Sequence, residues 1–138
     1  MAYATYDFYN HQGVAPGATF TTGASGTSVA GTIVPVAAGA GAGSSVAVPA
    51  GASPNDTRGV FNIVTAGSPA AGAVATVNFA APYSQAPGAV VVTVLDTTAS
   101  PAAPILAAPA TVTAAGFSIQ TGALTTAHTY QVNYQVEA

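Results

Sequence analysis

The C-terminal stretch "HTYQVNYQVE" alternates without a break. Tyr130, Val132, Tyr134 and Val136 fall on one side, and Thr129, Gln131, Asn133, Gln135 and Glu137 on the other. Successive side chains of a β-strand point to opposite faces, so this is the pattern of an antiparallel strand with one face in a core and one in water. The same period recurs upstream. In "GVFNIVTA", Phe61, Ile63 and Thr65 alternate with Val60, Asn62 and Val64; in "GAVATVNFA", Ala73, Ala75, Val77 and Phe79 oppose Val74, Thr76 and Asn78. "GFSIQT" sends Phe117 and Ile119 inward, while "AVVVTVL" (Ala89 to Leu95) is apolar on nearly both sides, as in a central or doubly covered strand.

Turn signals separate these runs: Gly67-Ser68-Pro69, Pro82, Pro87-Gly88, Ser100-Pro101, Ala115-Gly116 and Gly122. Leucine and glutamate are scarce and lysine is absent, whereas Val, Thr, Gly and Pro dominate, so helices have little support. The expected fold is all-β: an antiparallel β-sandwich, jelly-roll-like or a partly closed barrel, with an extended N-terminal arm. Residues 59–138 form the sandwich, with "PILAAPATVT" as an edge strand or loop because of its prolines. Residues 1–58 are expected to be the arm, with short strands in "ATFTTG" and "TSVAGTIVPV" (Val29, Ile33 and Val36 as anchors). The Ala/Gly/Ser/Pro tract "AAGAGAGSSVAVPAGASPNDT" reads as a linker.

Charge is nearly missing. The 138 residues include a single cation, Arg58, and four acids, Asp7, Asp56, Asp96 and Glu137, or 4% charged against about 25% in ordinary globular chains. Phosphate binding needs clustered Lys and Arg, so a nucleic-acid partner is excluded. A surface with so little repulsion suits burial against copies of itself or a larger assembly. There is no apolar run long enough for a membrane helix, and "MAYATYDFYNHQG" lacks the basic start and apolar run of a signal peptide, so the expectation is a soluble protein made in the cytoplasm.

Chemistry-bearing residues are few. His11 and His128 with four scattered acids do not make a zinc set, "GASGT" is not a nucleophile elbow, and "GAGAGS" (Gly39 to Ser44) is not a phosphate loop. Neither an enzyme nor a cofactor is expected. "NDT" at Asn55 reads as a turn in which Asn55 and Asp56 bond their own backbone, with Asp56 and Arg58 as a structural ion pair. The aromatic run "YATYDFYN" reads either as a first strand whose rings cap the core or as an exposed arm whose Tyr3, Tyr6, Phe8 and Tyr9 dock on a partner, since tyrosine gives large contact area at low entropic cost. In the connector "APYSQAP", Pro82 and Pro87 end one strand and begin the next, Phe79 is core, and Tyr83 is the ring expected at the surface.

The run "RGVFNIVTAGSPAAGAVATVNFAAPYSQAPGAVVVTVLD", then "VTAAGFSIQTGAL" and a closing "TYQVNYQV", resembles a small β module of tailed-bacteriophage and prophage virion proteins. Its second half is also similar to the H-type lectin pattern. The resemblance implies a β-sandwich, often trimeric, that decorates a capsid or ends a tail fibre. It implies a virion protein whose partners are itself, as a homotrimer, and the major capsid protein or other virion proteins. The tail-tip alternative implies glycan recognition, for which Tyr83, Gln85 and Asp96 are the candidates.

Overall fold

The computed structural model describes residues 20–27 and 29–137. Within them lie the strands β1 (Thr21–Thr22), β2 (Thr32–Pro35), β3 (Ser45–Ala47), β4 (Arg58–Val64), β5 (Gly72–Asn78), β6 (Ala89–Asp96), β7 (Ala103–Ile105), β8 (Ala107–Thr113), β9 (Gly116–Thr121) and β10 (Thr129–Glu137). One helical turn, α1 (Ala37–Ala40), joins β2 to β3. The strands form two five-stranded sheets, a first in the order β1-β2-β5-β9-β8 and a second in the order β3-β4-β10-β6-β7. The sheets pack on each other as a sandwich and do not close into a barrel. All pairings are antiparallel except the short β1–β2 contact.

The alternating residues fill the space between the sheets. Phe61, Ile63, Val77, Ile119 and Val132 have no exposure, and Phe79, Phe117 and Tyr130 almost none. Rings run through one end of this core: Tyr83 stands edge-on to Phe79, Phe79 tilts against Phe117, and Phe117 meets Tyr134, which in turn meets Phe61. Such pairs each add about 0.5–1.5 kcal/mol beyond the area they bury.

The structure departs from the sequence pattern in three instructive places. In β5 the register against β9 shifts between Ala73 and Ala75, and this irregularity turns both Val74 and Ala75 inward, although strict alternation put Val74 outside. β6 is central in its sheet, one of the two expectations, but not doubly covered: Val94 is buried and Val91 is 56% exposed. The third is the Ala/Gly tract, which packs rather than links. β2 and β3, from the residues expected to form an arm and linker, join different sheets, and Phe20, Ile33 and Val46 belong to the core. Val29 and Val36 do not anchor as Ile33 does; Val29 is 54% exposed.

Close approach explains why this tract is so poor in side chains. A Cβ at Gly39 would stand 2.1 Å from the Ala73 carbonyl oxygen, and one at Gly41, whose φ is +91°, 1.6 Å from that of Ala66. Only glycine lets the backbone of α1 and its exit lie directly on β5 and the β4–β5 loop. Small residues here serve contact, although their composition is that of a flexible spacer. Residues 1–19, with Tyr3, Tyr6, Phe8, Tyr9 and His11, lie outside the described residues.

The sheet edges are blunt. β1 has two residues and β3 three, while β7 and β8 carry Pro104 and Pro109, which cannot donate to a ladder. In a chain without lysine, short length and proline take over the edge protection that charge gives elsewhere.

Candidate functional site

The connector 79–88 carries the chain from the first sheet to the second, and Asp56 holds it in place. Asp56 has no exposed surface; its two carboxylate oxygens accept the amides of Ala80 (2.6 Å) and Ala81 (3.1 Å). Its carbonyl accepts the Tyr83 hydroxyl at 3.1 Å, and the neighbouring Asn55 carbonyl accepts the Tyr134 hydroxyl at 2.6 Å. The Asn55 side chain closes its own turn, accepting from the amides of Thr57 and Arg58. Burial pushes the Asp56 carboxyl above the ordinary range, although the two amides pull it the other way. Burial, with the nearby Asp56 charge, also pushes the Tyr83 phenol up to about 12 and raises that of Tyr134.

Two expectations are therefore corrected. Tyr83 is not a surface ring: it is 7% exposed, wedged against Phe79 and hydrogen-bonded to Asp56. Asp56 does not pair with Arg58, whose residue is exposed at the start of β4; the carboxylate turns inward and accepts the amides of Ala80 and Ala81. Pro82 and Pro87 do lie outside the strands, as expected of residues that cannot donate to a ladder.

Asp96 sits at the far end of β6, about 23 Å along the strand from Ala89, so it does not meet Tyr83 and Gln85. Gln85 is exposed in the connector. Asp96 instead takes the Nδ1 edge of His128 at 2.7 Å on one oxygen and the amides of Thr98 (3.0 Å) and Ala99 (3.1 Å) on the other. Its burial pushes the carboxyl up, but the His128 hydrogen bond, the two amides and the His128 charge outweigh this and hold it below the ordinary range. Threonines surround the pair. The Thr65 hydroxyl donates to the Thr125 carbonyl, the Thr97 hydroxyl donates to the Thr129 carbonyl, and the Thr98 hydroxyl accepts the Thr129 amide. This network closes the sandwich end; no acyl-transfer nucleophile contacts the imidazole among the described hydrogen bonds.

The outward face of the second sheet has a different character. Its rows follow the register: Val60, Asn133 and Thr93 in one, Asn62, Gln131, Leu95 and Pro104 in the next, Arg58, Gln135 and Val91 in a third. Three of the four exposed large hydrophobic residues among the described residues lie on this face or at its margin: Val64 (37%), Val91 (56%) and Leu106 (92%), the last continuing β7 with the outward alternation of Pro104. A central column of amides on β10 thus separates a mixed flank on β4, where Val60 and Val64 stand beside Arg58 and Asn62, from a more apolar one on β6–β7. Charge appears only at one end, as Arg58 and Glu137. The β10 half of this face was legible as its polar side. The flanks were missed because "AVVVTVL" also reads as a doubly covered strand, whereas the outward side of β6 is exposed at Val91.

No group of three or more His, Asp or Glu side chains that could hold a metal occurs among the described residues, and no helix among them is long and apolar enough to cross a membrane. Comparison with protein-family models, curated proteins and solved structures finds no match.

Proposed function

We propose that the chain is a structural protein of a tailed-bacteriophage particle, a capsid decoration protein that works as a homotrimer on the virion surface. The observation that carries this reading is the outward face of the second sheet, a surface of amides and exposed apolar side chains with charge confined to its end. A surface so poor in charge suits protein contact, where charged residues are depleted, and not a polyanion. The resemblance of residues 59–138 to virion β modules supplies the phage assignment.

The tail-tip alternative called for an exposed ring to stack on a sugar. With Tyr83 in the core and Asp96 at the opposite end from Gln85, its three candidates form no common site. Protein contact is the reading retained. Under it, Tyr3, Tyr6, Phe8 and Tyr9 are the proposed capsid contacts and the major capsid protein the partner.

Co-sedimentation with undecorated phage heads tests this. The full chain is expected to pellet with the particles in a saturable way, and a variant lacking residues 1–10 to lose most of that binding. Absence of binding by the full chain overturns the decoration reading; undiminished binding by the truncated chain overturns the role of the four aromatics.

A further inference from the structure

We propose that the outward face of the first sheet carries a groove for a neutral saccharide, read by the hydroxyls of Thr76, Thr111 and Ser118. The site lies apart from Tyr83, Gln85 and Asp96 and uses no exposed ring. It goes beyond the decoration reading and does not depend on it.

The groove follows from the register. Thr76 on β5 stands opposite Ser118 on β9, and Asn78 opposite Gly116, so the two central strands lay a floor of hydroxyl and amide groups. Hollows of about 340 Å³ and about 290 Å³ lie over it and share Thr76 and Asn78; small-molecule sites begin at about 300 Å³. Ser25, Gly26 and Thr27 wall the β2 side, and Thr111 and Thr113 the β8 side. The pairing of β8 with β9 slips between Ala110 and Thr113, and Thr111 in that bulge holds a φ of +48°. A β-branched residue in the left-handed region is strained, and bulges and strain of this kind gather where a side chain must be aimed at a ligand. Here they put Thr111 on the rim of the larger hollow.

The lining selects the ligand class. No Asp, Glu, Lys, Arg or His lines either hollow, so an ion finds no counter-charge there. A wholly apolar ligand would strip water from the hydroxyls and give nothing back. The hydroxyls of Thr76 and Thr111 have no hydrogen-bond partner among the described residues. That of Ser118 donates to the Ala110 carbonyl at 2.8 Å and keeps its lone pairs. Each can meet a sugar hydroxyl, which donates and accepts as they do, while the threonine methyls meet the C–H groups of the ring. A polypeptide strand does not suit the floor: β5 and β9 have a neighbouring strand on each side, so their ladder groups are already engaged.

Nuclear magnetic resonance of the isotope-labelled full chain tests this, with neutral trisaccharides of glucose, mannose, galactose and N-acetylglucosamine as probes and a sialylated one as the charged control. At least one neutral probe is expected to shift the amide signals of residues 76–78 and 111–118 in a saturable way, and the sialylated probe to shift none. Thr76→Val with Ser118→Ala removes two hydroxyls and is expected to weaken that binding about 10-fold. Gln131→Ala, on the other sheet, is expected to leave it unchanged, with circular dichroism verifying the fold of each variant. Silence with every neutral probe, shifts confined to other residues, or undiminished binding by the double variant overturns the site; binding of the sialylated probe alone overturns the ligand class. The double variant is expected to co-sediment with phage heads as the wild type does, so the groove and the decoration reading fail separately. Loss of head binding in that variant would make the groove a seat for protein and overturn the saccharide.

Discussion

Two aspartates of this chain make nearly the same hydrogen bonds and do different work. Asp56 and Asp96 each accept two backbone amides from a connecting segment. Asp56 has no exposed surface and no ion-pair partner among the described residues, so burial dominates and its carboxyl is raised. Asp96 adds an imidazole at 2.7 Å, and its carboxyl is lowered. The contrast shows that in a chain with four acids, surroundings rather than ligand count decide what a carboxylate does. It also marks the end of the sandwich where connector, aromatic core and Asn55-Asp56 turn are hydrogen-bonded together.

The widest gap between the two ends should come from truncating each acid. Asp56→Ala leaves the part-buried amides of Ala80 and Ala81 without their acceptor and a hole where a fully buried side chain stood, and each lost acceptor costs about 1–3 kcal/mol. Urea unfolding should therefore show a loss of about 2–5 kcal/mol, and a smaller one for Asp96→Ala, whose side chain is 8% exposed and whose partner His128 is 26% exposed. Equal losses would erase the distinction. Next in size is Tyr134→Phe, which deprives the Asn55 carbonyl of its 2.6 Å donor while keeping the ring packing. A loss of about 1–2 kcal/mol is expected in the same experiment, and a smaller one for Tyr83→Phe, whose bond is 3.1 Å.

The pH dependence sharpens the comparison further. The folded chain holds the Asp56 proton more tightly than the unfolded chain does, so this contribution is fully present below 3.8 and is lost as pH rises through the folded value. Asp96 is the reverse: its contribution is present above 3.8 and is lost as pH falls through its depressed folded value. Denaturation midpoints followed across the acid range should lose slope above 3.8 in Asp56→Asn and below 3.8 in Asp96→Asn. Slopes that change on the same side in both variants would contradict the assignment. The smallest effect expected is that of Arg58→Gln, within about 0.5 kcal/mol of the wild type because Asp56 does not depend on it; a loss of several kcal/mol would restore the ion pair.

Most of the fold was legible because its strands obey a period that only strands satisfy. β4, β9 and β10 lie where alternation placed them, with Phe61, Ile63, Phe117, Ile119, Tyr130 and Val132 inward. What alternation could not express was the irregularity that turned Val74 inward beside Ala75. Composition misled in "GAGAGS", because small residues serve a flexible spacer and a close backbone crossing equally well, and only the neighbouring Ala66 and Ala73 carbonyls distinguish them. Tyr83 was missed for a related reason: the acceptor that buries its hydroxyl, the Asp56 carbonyl, lies 27 residues away. The outward face of the second sheet was half legible, in the polar side of β10, because whether β6 is covered on its second side depends on the strand count of the whole molecule.

The account stands on assembly of the native chain. Sedimentation equilibrium of the purified full-length protein over a wide concentration range tests this most directly. A mass near three times 13.2 kDa is the predicted result, and a single 13.2 kDa species at every concentration would contradict it.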